Sequence, residues 1–251
     1  MRQIVLRISL VIVGTALALL GQVPKPETKA LNSEKLQGPI KPYYRAAEKR
    51  LGKTGSERIT GNATLSTGGA VGEQISFVLE FPGKIRITGQ GKNAMYTGED
   101  RDKKSPVETS LQDAVESMLE DSIDGFLSAV TEKATIRYVG SGLRLADPQT
   151  GAIRYGDLVQ VSRNERAGKA SRGLTKDYWF DSATQRLWQV RYWDQGPKAE
   201  PIVTILEDYV SSGDLVIARR IRRLRGNQEQ LKIEITTAQL SAKTSDQVFA
   251  K

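Results

Sequence analysis

Histidine and cysteine are both absent from the 251 residues, and their absence restricts the chemistry open to this chain. No imidazole or thiol means no His-dependent triad, no thiolate nucleophile and no zinc finger. Carboxylates, lysine, serine and tyrosine remain as candidate chemical groups. No serine is followed three residues later by lysine, so the Ser-x-x-Lys nucleophile is missing, and no Gly-x-x-x-x-Gly-Lys phosphate loop occurs. Glu99-Asp100-Arg101-Asp102-Lys103 gathers carboxylates. It lacks the glycine and the twelfth-position acid of a calcium loop and interleaves cations, so it reads as a solvated loop. Asp177, Asp181 and Asp194 bracket one hairpin. Aspartates at strand ends and turns serve the backbone more often than they serve acid/base catalysis. The residues therefore predict a non-enzymatic protein with no catalytic residue, no cofactor and no metal site.

Positive charge is the remaining chemical feature. Arg219, Arg220, Arg222, Arg223 and Arg225 crowd into Ala218–Arg225 and could meet an anionic partner. In a strand they divide between two faces, with Arg219, Arg223 and Arg225 on one and Arg220 and Arg222 on the other. No aromatic platform is interleaved with them, which argues against nucleic acid. The alternatives are a solvated strand whose charge discourages edge pairing and a contact with anionic lipid or polymer.

These groups must be positioned by strands. The stretch Tyr178–Trp193 holds six of the sixteen aromatic residues, including all three tryptophans, and reads as two strands joined by a polar turn. Alternation puts Tyr178 and Phe180 on one face and Trp179 with Asp181 on the other, while Trp188, Val190 and Tyr192 share a face of the second strand. Apolar area on both faces predicts an interior place in a sheet covered on both sides. Period-two patterns also run through Ile59–Leu65, Ile75–Phe81 and Ile85–Ile87, then through 134–146, 158–162, 203–209, 215–225 and 230–240. Gly226-Asn227 is a hairpin turn signal and Asp147–Gly151 a turn. One helical pattern interrupts them from Ser105 to Glu132. Ser105, Pro106 and Glu108 form its capping signal. Leu111, Ala114, Val115, Met118, Leu119, Phe126, Leu127 and Val130 make an apolar stripe, and Glu116, Glu120, Asp121 and Asp124 are expected to face away. Asp124-Gly125 is the expected break. A second short helix is predicted from Pro42 to Gly52. The fold class is α+β, a large curved antiparallel sheet with helices on a single face.

The amino terminus is a separate unit. Arg2 and Arg7 precede a short apolar run, Ile8 to Leu20, too short for a comfortable membrane span and suited to a secretory leader. Ala16-Leu17-Ala18 and Leu19-Leu20-Gly21-Gln22 both offer ends for it, and cleavage or retention as an anchor stays open. The second tetrad has Gln22 where a lipidated cysteine would stand, so lipidation is excluded. The expected organisation is a signal peptide over 1–21, a proline- and lysine-containing linker over 22–41 and one domain over 42–251, periplasmic or secreted and monomeric. The net charge of +8 favours anionic surfaces without choosing among them.

The segments Phe81-Pro82-Gly83-Lys84-Ile85-Arg86 and Met95-Tyr96-Thr97-Gly98-Glu99 resemble two turns of the periplasmic lipoprotein carriers of the LolA-like superfamily. Tyr178–Leu187 is similar to their strand, Asp, turn, Leu hairpin, and Ser245-Asp246-Gln247-Val248-Phe249 to the tail of outer-membrane lipoprotein-sorting proteins. The resemblance runs from about Pro42 to Lys251. It implies an unclosed β-barrel of about eleven strands with helices as a lid, whose apolar hollow holds acyl chains of lipid or lipoprotein, in a transport or chaperone role that involves inner- or outer-membrane proteins. Phe81 stands where the carriers have a basic residue that helps control the lid, and the arginine strand has no counterpart in the family motif. On this reading Ile75, Phe77, Leu79, Phe81, Ile85 and Ile87 line the hollow with Tyr178 and Phe180, and Leu111, Val115, Met118 and Phe126 close it. The alternative is a structural or regulatory envelope module that meets a protein or anionic polymer through the same sheet and the Arg219–Arg225 strand.

Overall fold

The structure is a computed structural model, and it describes residues 57–80, 84–89, 92–96, 109–126, 134–162, 175–193, 199–212, 215–242 and 249. The expected leader, linker, Pro42–Gly52 helix, Ser105 capping signal, Pro82-Gly83 turn and Phe81 lie outside these residues.

Eleven strands follow the alternation in the sequence. They are β1 (Glu57–Thr67), β2 (Glu73–Glu80), β3 (Lys84–Gly89), β4 (Lys92–Tyr96), β5 (Thr135–Ala146), β6 (Ile153–Ser162), β7 (Thr175–Asp181), β8 (Leu187–Trp193), β9 (Pro201–Ser212), β10 (Leu215–Arg225) and β11 (Gln228–Ala242). They form one sheet in the order β4-β3-β2-β1-β11-β10-β9-β8-β7-β6-β5. Every consecutive pair except one is joined as an antiparallel neighbour, and the first strand, β1, pairs with the last, β11.

The exception is β4 and β5, the two edges. In a row of eleven alternating strands the first and the last point the same way, so a tight turn cannot connect them. Parallel strands need a long crossover, usually helical. The helical segment occupies that connection: α1 (Thr109–Val115) runs into a π-helical turn, Glu116–Glu120, and a further helical turn covers 123–126. The result is an unclosed half-barrel with a helical lid, as expected, and the sheet order explains why the helix falls between these two strands.

The lid covers the concave face. Ile75, Phe77, Leu79, Ile85 and Ile87 from β2 and β3 meet Tyr178 and Phe180 of β7 and Ile221 and Ile233 of β10 and β11 in one buried cluster, together with Leu111, Val115, Met118 and Phe126 of the lid. A smaller cluster lies on the other face, where Leu158, Trp179, Trp188, Val203, Ile205 and Leu224 pack under Val139, Leu143 and Leu145 of β5. β5 reaches them through two register shifts, with Gly142 at φ +61° within the second.

The aromatic hairpin β7–β8 is interior to the sheet and two-sided, as its composition predicts. One assignment is corrected. Trp188 does not share a face with Val190 and Tyr192, because the ladder shifts after Trp179 so that Trp179 pairs with Gln189 and Phe180 with Leu187. Trp188 is the extra residue of this bulge and turns to the outer cluster, while Val190 and Leu187 stay in the concave core. The turn between the strands is held by Asp181, whose Oδ1 accepts from the backbone N–H groups of Ala183 and Thr184 at 3.1 and 2.7 Å.

Candidate functional site

The candidate site is the interface between the lid and the concave face of the sheet. Phe126, fully buried, meets Tyr178 edge-on at 5.2 Å between ring centres and Phe180 at 5.5 Å. Apart from Phe81, every residue expected to line or close the hollow is buried in this one cluster. Leu111, Val115, Met118 and Phe126 of the lid pack directly on the strand residues.

Beside the aromatic contact the interface is ionic. Asp121, at the end of the π-helical turn, has no exposed surface. Its Oδ1 accepts from Lys176 Nζ of β7 at 2.6 Å. Its Oδ2 accepts from Thr204 Oγ1 of β9 at 2.6 Å and from Arg223 Nη1 of β10 at 3.2 Å. Arg223 Nη2 also donates to Glu116 Oε2 at 2.5 Å and lies 3.6 Å from Asp113 Oδ1. Lys176 reaches Glu120 Oε2 at 3.3 Å. Tyr192 of β8 lies beneath both cations, with Lys176 Nζ 4.6 Å and Arg223 Cζ 5.8 Å from its ring centre. Tyr178 Oη donates to the Glu120 carbonyl at 3.0 Å, which anchors the lid backbone.

The expectation that Glu116, Glu120 and Asp121 face away from the sheet is therefore corrected. The π-helical turn is the cause. A bond from Asp121 N–H to the Glu116 carbonyl at 2.9 Å spans five residues and shifts the phase of the stripe, so that Ser117, Met118 and Leu119 are buried in succession and Asp121 turns inward. The break also moves, to Asp121-Ser122 instead of Asp124-Gly125. Gly125 has another function: a Cβ there would lie 2.5 Å from the Leu119 carbonyl oxygen and 2.3 Å from that of Glu120. Only glycine lets the chain return this closely against its own turn.

Charge states in the cluster follow from burial and pairing. Burial opposes the charge on Lys176, but Asp121 and then Glu120 more than offset it and hold the ammonium well above the usual lysine range. Burial raises Glu116 and Asp113 above their ordinary values despite Arg223 beside them. Burial, and then Asp121, raises Tyr192. A lysine raised in the folded state contributes stability that is complete below pH 10.5 and is lost as the pH climbs through its folded value. The raised Tyr192 acts in the same direction above pH 10.0, because the folded state keeps a proton that the unfolded chain releases. Chemical denaturation between pH 9 and 12 should therefore show falling stability, and Lys176→Met should flatten that fall. An unchanged slope in this variant would place the alkaline loss elsewhere.

The five clustered arginines are separated by the fold. Arg223 is buried under the lid. Arg222 is on the opposite face, paired with Glu207 at 3.0 Å and 3.6 Å from Asp147. Arg220 bridges Asp208 at 3.0 Å and approaches Glu234 at 3.5 Å, and Arg219 and Arg225 are exposed. A separate groove of about 450 Å³ crosses β2, β1 and β11 between Thr60, Asn62, Ser76, Val78, Thr237 and Gln239. Among the described residues no cluster of acidic side chains is arranged to hold a metal ion, and no helix is long and apolar enough to cross a membrane.

No protein-family model matches the chain, and no curated protein matches it in sequence. Solved structures do resemble it. An outer membrane lipoprotein-sorting protein domain from Vibrio parahaemolyticus superposes with a TM-score of 0.51 at 11% identity, over 82% of this chain and 95% of that one. A LolA superfamily protein from Nitrosomonas europaea gives 0.43 at 9% identity, over 86% and 99%. The sequence motifs pointed to a half-barrel with a helical lid, and this is the fold the chain shares with the Vibrio lipoprotein-sorting domain.

Proposed function

We propose that this protein is a non-enzymatic carrier in the periplasm that binds acyl chains of lipid or lipoprotein on the concave face of its half-barrel after the lid swings aside. The observation that carries this reading is the cover of that face. Among the described residues, a continuous apolar surface spanning β2, β3, β7, β10 and β11 is closed by one short helical segment and not by a second sheet. Such a cover can move while the ladders beneath it stay intact. Burial of a ligand chain would replace burial of Met118 and Phe126, at about 0.8 kcal/mol per methylene. The absence of histidine and cysteine from the chain supports a binding role over catalysis.

The tryptophans are poor reporters of this event, because Trp179 and Trp188 belong to the outer cluster. An environment-sensitive fluorescent fatty acid is the better probe. Titrated into the purified protein, it should show saturable enhancement, with one site per chain. No enhancement at any probe concentration below its own micelle threshold would overturn the carrier reading.

A further inference from the structure

Resting on that reading, we infer that Lys176, Thr204 and Arg223 form a receptor for the anionic head group of an amphiphilic ligand, and that Asp121 of the lid occupies this receptor as an internal stand-in. The cradle belongs to the sheet. Lys176, Thr204 and Arg223 come from β7, β9 and β10, with Tyr192 of the intervening β8 beneath the two cations. Thr204 and Arg223 are direct cross-strand partners. Three donors converge on the two oxygens of one carboxylate within 3.2 Å. A carboxylate or phosphate oxygen of a ligand needs the same donors.

The apolar floor continues from the cradle along the same strand. Lys176, Tyr178 and Phe180 are at every second position of β7 and share its concave face, and Tyr178 and Phe180 are the residues that Phe126 now covers. A head group in place of Asp121 would thus put its chain in place of Phe126. The lid imitates both halves of such a ligand.

This arrangement selects among ligands. When the lid leaves, Lys176 and Arg223 lose the carboxylates of Asp121, Glu116 and Glu120 while remaining on a largely apolar surface. A neutral lipid leaves them uncompensated, which is strongly unfavourable. An anionic amphiphile restores the pairing. The tethered Asp121 competes at the effective concentration of an intramolecular group, on the order of millimolar, so it also sets the affinity a ligand must reach.

The test is competition against the bound fluorescent fatty acid on the full chain, using palmitate, lysophosphatidylglycerol and neutral monopalmitoylglycerol. We expect the anionic competitors to displace the probe at concentrations at least tenfold lower than the neutral one. Success of palmitate alone or of lysophosphatidylglycerol alone supports the proposal and identifies the head as carboxylate or phosphate. Equal competition by all three overturns it while leaving the carrier reading in place, whereas absence of any probe binding overturns both. Asp121→Asn should tighten anionic binding several-fold. Thr204→Val, which preserves both cations, takes one neutral donor from Asp121 and from an anionic head group alike, so it should narrow the preference for anionic over neutral competitors several-fold; melting curves verify that both variants fold. Unchanged selectivity in folded Thr204→Val would overturn the assignment of the cradle.

Discussion

Replacing Asp121 with alanine is expected to lower the stability of the domain by about 3–5 kcal/mol, the usual cost of removing one member of a buried ion pair. The carboxylate has no exposed surface and holds three donors from three strands. Its loss leaves Lys176 with Glu120 at 3.3 Å and Arg223 with Glu116 at 2.5 Å and Asp113 at 3.6 Å, so each cation keeps carboxylates nearer the rim and loses the central one. Urea denaturation gives the magnitude. Hydrogen exchange locates it: protection should fall in 109–126 before it falls in β7 and β10, because the lid loses its anchor while the ladders do not. A loss below about 1 kcal/mol, within the range of an ordinary surface ion pair, would show that Asp121 does not hold the lid. Combining Asp121→Ala with Lys176→Met should recover part of the loss, since an unpaired buried charge costs more than an apolar replacement.

Phe126→Ala is expected to cost a similar amount, about 3–5 kcal/mol, through lost burial and the space left behind. Phe126 is fully buried between Tyr178 and Phe180, both on a sheet whose ladders limit how far the floor can rise to fill a gap. The variant separates packing from charge, because it leaves the ionic cradle intact. In binding experiments it should accept the fluorescent fatty acid more tightly than the parent chain, since the ligand no longer has to expel the aromatic ring. Weaker binding in a folded Phe126→Ala would mean that this ring contributes to the ligand surface and does not block it.

Much of the sheet was legible along the chain. Alternation in β1, β2 and β3 identified the concave face, and its apolar members Ile75, Phe77, Leu79, Ile85 and Ile87 are all in the main core. Tyr178 and Phe180 separated correctly from Trp179 by period two alone. The phase failed where the backbone inserted a residue. Period two puts Trp188 on the wrong face because the shift between Trp179 and Phe180 in the β7–β8 ladder leaves no mark in the pattern of residue types. The π-helical turn at Glu116–Glu120 did the same to the lid, carrying Asp121 from the expected solvent side into the interface. Signals of the cradle were present nonetheless. Lys176 is two positions before Tyr178, Thr204 two before Leu206 and Arg223 two after Ile221, so each is a polar residue in phase with an apolar face. Polar residues in such positions are unusual and mark a partner across the core.

By itself the sequence determined which residues alternate, which stripe is helical and which chemistries are impossible, because these depend on residue type and local spacing. The tertiary structure decided which charges meet. Asp121 and Arg223 are 102 residues apart in sequence and lie 3.2 Å apart in space because an odd number of alternating strands leaves β4 and β5 parallel. The connection between such edges is long, and in this fold it carries the helical lid over the concave face. Once there, its carboxylates find cations that no local pattern links to them. A buried charge must be paired, and the pairing is a property of the assembled sheet.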